Sequence, residues 1–160
     1  MTRRRRTILT AVTVLCLLFV PPSDVAAQAK PIRATLVQDM DFGSVVATSA
    51  TGTVTIHPDG TAPMYSGVIG TGGIVIPAAF EIKGEKLQPF TIILPATPMV
   101  IPGPTGNLVI DVFKSVPAEG PNGTFNAQGK ATVTVGATMS ITDQLSAGPY
   151  SSTFDLTVTY

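Results

Sequence analysis

The chain has 160 residues, no formal net charge, 44% hydrophobic residues, one cysteine and no tryptophan. Gly and Pro total 29, about 18% of the chain and below the roughly 25–30% that marks low-complexity disorder, so they read as turn punctuation. The lone cysteine excludes a disulfide scaffold and a thiolate metal site.

Arg3, Arg4, Arg5 and Arg6 open the chain, Ile8 to Val20 is an apolar run, and Pro21, Pro22 and the small residues Val25, Ala26, Ala27 and Ala29 follow. A basic, an apolar and a small-residue segment in that order form a secretory signal peptide. The apolar run is shorter than the ~20 residues a bilayer span needs. Cleavage fits after Ala27 or after Ala29, and the second is taken, giving a signal over 1–29 and a mature domain over 30–160. Cys16 lies inside the apolar run, preceded by Leu15, which is not the small residue a lipid-attachment cysteine requires. Arg5-Arg6 fits a plain basic leader as well as a twin-arginine one. The chain is therefore expected to be exported, to the periplasm, the outer cell surface or the medium, with no membrane span in the mature part.

Residues 30–160 hold six basic and nine acidic residues, a net charge of −3. That balance argues against nucleic acid as a partner, which demands a basic face. The size suits one domain with one core.

Alternation prevails along the mature chain, and Gly or Pro interrupts nearly every window long enough for a helix. Ile32, Ala34 and Leu36 alternate. Thr53–Ile56 is a short strand ending in the turn His57-Pro58-Asp59-Gly60. Ile74–Ile76 and Ala79–Lys83 are further strands, with Pro77 between them. Phe90, Ile92 and Leu94 form an inward set. Leu108, Ile110 and Val112 form another, with Asp111 on the opposite face. Lys130–Val135 places Ala131, Val133 and Val135 inward. At the C-terminus Phe154, Leu156, Val158 and Tyr160 share one face, with Thr153, Asp155, Thr157 and Thr159 on the other. Turns are expected at Pro58–Gly60, Gly70–Gly73, Pro102–Gly106, Gly120–Gly123 and Ala147–Pro149. Seven to nine short strands at this spacing predict an all-β, Greek-key, immunoglobulin-like β-sandwich, open in preference to a closed barrel.

The candidates for chemistry are few. His57, the only histidine, sits in a turn with no nucleophile beside it and reads as a solvated loop residue. Asp39 and Asp41 form a two-apart pair that a calcium site or a glycosidase could use, yet no second ligand cluster accompanies them. Gly67, Gly70, Gly72 and Gly73 lack the Lys-Ser/Thr of a phosphate loop and read as a flexible loop. Thr-x-Thr recurs at Thr53/Thr55, Thr132/Thr134 and Thr157/Thr159, as β-propensity alone would give. Asn122-Gly123-Thr124 fits a glycosylation acceptor and reads as a turn. No catalytic residue, metal or cofactor is expected, and the chain is not read as an enzyme.

Several segments together carry a family likeness: Met40-Asp-Phe-Gly-Ser-Val-Val46, Gly52–Ile56, Ala79–Gly84, Phe90–Leu94, Gly129–Gly136 and Gly148–Tyr160. The chain resembles a family of secreted bacterial proteins known mainly as a domain of unknown function, distantly similar to spore coat protein U and pilin-like subunits. The resemblance implies the immunoglobulin-like sandwich. In the pilin relatives a neighbour's N-terminal segment completes the sheet, so it also implies strand addition between subunits. The relatives' mature cysteines are missing here, and the lead before Asp41-Phe42-Gly43 is short. The expected function is a structural or adhesive surface protein. Its strand-exchange or edge-strand interface would use Ile32, Ala34, Leu36, Phe154, Leu156, Val158 and Tyr160. The expected partners are further copies or other β-sandwich subunits. The alternative is a monomeric module that binds a surface glycan.

Overall fold

A computed structural model describes residues 29–142 and 144–160. The signal peptide expected over 1–29 lies outside them, apart from Ala29. Twelve strands and no helix occur among the described residues: β1 Arg33–Gln38, β2 Asp41–Ala47, β3 Thr51–Thr55, β4 Met64–Ser66, β5 Val68–Ile76, β6 Ala78–Lys83, β7 Pro89–Ile93, β8 Met99–Pro102, β9 Asn107–Val116, β10 Gly120–Thr124, β11 Lys130–Thr142 and β12 Thr157–Thr159. Among these residues no helix is long and apolar enough to cross a membrane. The fold is an all-β sandwich. Its strands outnumber the seven to nine expected, because segments read as turns pair as short ladders.

β11 organises the larger layer. Its first half pairs with β6 and its second half with β3, on one edge, while β9 runs along the other. Thr134 thus faces both Ala79 and Val116, and Thr138 faces both Thr55 and Asp111. β1 extends the layer beyond β6, β4 extends it beyond β3, and β8 extends it beyond β9. The hand-over from β3 to β6 falls at Gly136. A Cβ there would enter the Ile56 carbonyl oxygen and stand 2.9 Å from the Pro58 nitrogen, so only glycine lets the chain leave β3 at this point.

The opposing layer is in two pieces. One is the small sheet β10-β7-β12 and the other the ribbon β2-β5. Each piece buries its own apolar cluster against the large sheet. Phe90 and Ile92 of the small sheet meet Ile82, Val133 and Val135 in the first cluster, together with Phe125. Phe90 and Phe125 lie with ring centroids 4.6 Å apart, and the Phe90 ring fills the space a Cβ on Gly123 would need. Val68 of the ribbon meets Val54, Leu108, Met139 and Ile141 in the second, with Phe42, Val45 and Ala47 partly buried around it.

Three expectations are corrected. The glycine-rich stretch expected to be a loop lies mostly in β5, which pairs with β2 from Val68 to Ile76. Two register shifts beside Gly43 absorb the irregularity, as bulges do. Gly120–Gly123, expected as a turn, lies in β10 (Gly120–Thr124), and Asn122 within it donates its side-chain amide to the Glu119 carbonyl at 2.7 Å. Finally, Val112 does not point inward. Asp111 pairs with Thr138 and Lys114 with Gly136, so Val112 and Phe113 together oppose Ala137. That bulge flips the parity of β9: Leu108 and Ile110 face inward before it, Phe113 and Ser115 after it. Val112 is left 59% exposed with φ of 49°, a left-handed backbone that β-branched residues resist. Buried Ser115 is satisfied, donating its hydroxyl to the Pro117 carbonyl at 2.7 Å.

A groove between the ribbon and the C-terminal segment

The inner face of β1 is the one anticipated from alternation. Ala34 lies opposite Ile82 and Leu36 opposite Phe80, so both point to the side of the sheet that carries the core. Yet every residue of β1 is exposed, Leu36 at 50%. Only Ile32, just ahead of the strand, packs against the first cluster. The cause is architectural, because the inner face of β1 borders the gap in the opposing layer. Gln38 ties the end of β1 down by donating its side-chain amide to the Pro77 carbonyl at 2.7 Å.

The C-terminal segment behaves as its pattern demands over most of its length. Phe154, Leu156 and Val158 are half-buried on the first cluster, while Thr153, Asp155, Thr157 and Thr159 are exposed. Only Thr157–Thr159 pairs, with Ile93 to Thr91 of β7. Ser151–Leu156 belongs to no ladder, though Thr153–Leu156 alternates in burial. Phe154 is held by aromatic contacts, edge-on to Phe80 at 6.1 Å and tilted on Phe113 at 5.3 Å. Tyr160 is half exposed. Its hydroxyl accepts from the Glu85 backbone N–H at 2.7 Å and donates to the Lys30 carbonyl, so it joins the start of the described chain to the end.

Between these two strands the sandwich is open. A groove of about 880 Å³ runs between β2 and residues 145–154, floored by the large sheet. Leu36, Met40, Phe42, Phe80, Phe113 and Phe154 are among its apolar lining residues. Tyr150 closes one end, its hydroxyl donating to the Ser146 carbonyl at 2.7 Å. β2 pairs only with β5, so its other edge is unpaired among the described residues. The groove thus brings together Leu36 and Phe154 of the expected interface. Ile32, Val158 and Tyr160 line a separate shallow recess at the other end of β1, and Ala34 and Leu156 line neither. Sequence reading missed Met40, Phe42, Phe80 and Phe113 as groove residues, because alternation marks apolar side chains without telling which remain uncovered.

The other candidates take ordinary places. The His57 carbonyl accepts from the Gly60 N–H at 3.2 Å, closing the expected turn. Hydrogen bonds from the Thr61 backbone and hydroxyl hold the Asp59 carboxyl below the usual carboxylate range, and nearby His57 adds to the effect. Among the described residues no group of three or more His, Cys, Asp or Glu could hold a metal ion. Asp39 lies between β1 and β2, Asp41 begins β2, and both are exposed at the groove. Asp41 accepts the Gly43 N–H at 2.8 Å. Thr55 and Thr138 share a hydroxyl hydrogen bond of 3.0 Å on the outer face of the large sheet.

None of the curated proteins and none of the solved structures matches the chain. A family model described as a domain of unknown function, DUF4402, matches residues 32–160, and the chain belongs to that family.

Proposed function

We propose that the chain is an exported structural or adhesive protein of the cell surface that assembles by β-strand addition, as pilin-like subunits do. In this reading a signal peptide over 1–29 is removed and 30–160 is one domain. The observation that carries the proposal is the groove of about 880 Å³ flanked by two backbone edges unpaired among the described residues, the free edge of β2 and Ser151–Leu156. An acyl or other small apolar ligand would cover the aromatic lining but leave both backbone edges unpaired. An incoming strand covers the lining with alternate side chains and supplies the edges with main-chain hydrogen bonds. β1 is the natural element to exchange, since it is held by one edge and buries almost nothing of its own.

Light scattering on mature protein 30–160, beside a version beginning at Asp39, tests this. Oligomers of the longer protein alone support strand addition. Leu36→Asp in the full mature protein should leave the domain folded and abolish assembly, and unchanged assembly in that variant would discard β1 as the exchanged strand. The monomeric glycan-binding alternative is favoured by Tyr65 alone, 42% exposed and lying against Gly70, because the hydroxyls of Tyr150 and Tyr160 are occupied within the fold. Glycan-array binding lost in Tyr65→Ala would favour that alternative instead.

A further inference from the structure

Charge on the mature chain is segregated. Arg33, Lys83 and Lys130 stand directly opposite one another across β1, β6 and β11. Lys86 follows β6, its side chain against Gly129, and Lys30 is tied through the Tyr160 hydroxyl to the backbone of Glu85. These are five of the six basic residues in 30–160, all exposed at one end of the sandwich. The acids among them are Glu81, 2.6 Å from Lys83, and Glu85. Like charges directly opposite across strands destabilise a sheet, and Glu81, beside Lys83 and Lys130, offsets part of that cost.

The other end of β1 has the opposite character. Six residues at about 3.3 Å each put it roughly 20 Å away. There Asp39 and Asp41 line the groove, and no Lys or Arg occurs between Arg33 and Lys83 in the sequence. Asp155 is exposed on the outward side of the unpaired segment, next to Phe154 of the groove wall.

We propose that the occupant of the groove is the N-terminal segment Lys30–Gln38 of a second copy, guided there because its basic residues complement the acidic rim at Asp39 and Asp41. The inference rests on the strand-addition reading and adds the charge pairing that steers the donor segment to the groove. The lengths agree, six residues in β1 and six in Ser151–Leu156. The two surfaces differ, so the contact is heterologous and propagates as an open head-to-tail chain. Complementary charge mainly speeds encounter and fixes register, and salt screens it.

Two charge-reversed forms of the mature protein test the pairing by light scattering: Lys30→Glu with Arg33→Glu, and Asp39→Lys with Asp41→Lys. Each alone should associate at least about tenfold more weakly than wild type, since like-charge juxtaposition at an interface costs several kcal/mol. An equimolar mixture should regain association as alternating chains, because each form then meets its complement. Raising salt from about 0.05 to about 0.5 M should shrink the wild-type assemblies. Folded reversed forms that associate like wild type, or a mixture that stays apart, would overturn the charge pairing. If Leu36→Asp abolishes assembly while the reversed forms assemble normally, strand addition survives and the pairing does not. Wild-type protein that stays monomeric at low salt overturns both.

Discussion

The two apolar clusters are built from the same kinds of residue, yet the centre of the first is sealed, while the groove opens where its Phe80, Phe113 and Phe154 meet the second. In the first, Phe90 is 1% exposed and the opposing layer is three laddered strands. In the second, the opposing layer is a two-stranded ribbon whose free edge gives onto the groove. Side-chain chemistry does not separate them, and backbone pairing does. Where a strand is laddered on the facing layer, the core closes; where the facing segment runs unpaired, as at Ser151–Leu156, aromatic side chains stay at the rim. Stability and association should accordingly be separable by mutation.

The sharpest way to break this comparison is to truncate one aromatic residue in the sealed centre of the first cluster and one at its open wall. Phe90→Ala should cost about 3–5 kcal/mol in denaturant unfolding and unfold as a single transition. Phe154→Ala, on the open wall, should cost only about 1–2 kcal/mol. Equal costs would mean that the groove is closed in solution. Next comes Gly136→Ala, where the new methyl meets backbone that cannot swing aside; a loss of roughly 2–3 kcal/mol is expected. Val112→Gly should move the other way. Removing the branched side chain from φ of 49° relieves strain of roughly 1–2 kcal/mol, and the added freedom of the unfolded glycine returns about half of it. A net loss would show that the Val112 side chain contributes packing despite its exposure.

The smallest effect belongs to Glu81. Its hydrogen bond from Lys83, helped by Lys130 and the Lys83 charge, lowers the Glu81 pKa. Whatever it contributes is therefore present above the ordinary glutamate pKa and is lost as pH falls through the lowered value. The pair is largely exposed, so Glu81→Gln should leave the Tm at pH 7 unmoved within error and flatten only the acid side of the stability profile.

Much of the fold was legible because period-two alternation reports which face is wet. The inward sets Ala131/Val133/Val135 and Phe90/Ile92/Leu94 follow directly from it. So does the alternation Phe154/Leu156/Val158, even where no ladder forms. Alternation fails where parity changes mid-strand. Nothing in Leu108–Ser115 announces that Val112 and Phe113 share one partner, since the bulge is set by the distant residue Ala137. Glycine misled twice for one reason: in β5 and β10 it permits a bulge or a close approach, and a turn needs the same residue. The groove was hardest to foresee, since it is defined by where the facing layer leaves Leu36 and Phe80 uncovered on one side.

The Tyr160 hydroxyl, which joins Lys30 to Glu85, gives the molecule an optical reporter. The chain has no tryptophan and three tyrosines, so tyrosine emission is unmasked. Tyr65 lies on β4 and Tyr150 on the Ser146 carbonyl, neither bonded to the N-terminal segment. Departure of residues 30–38 toward a neighbour would strip Tyr160 of the Lys30 carbonyl, so the chain's own fluorescence would register the transfer without any label.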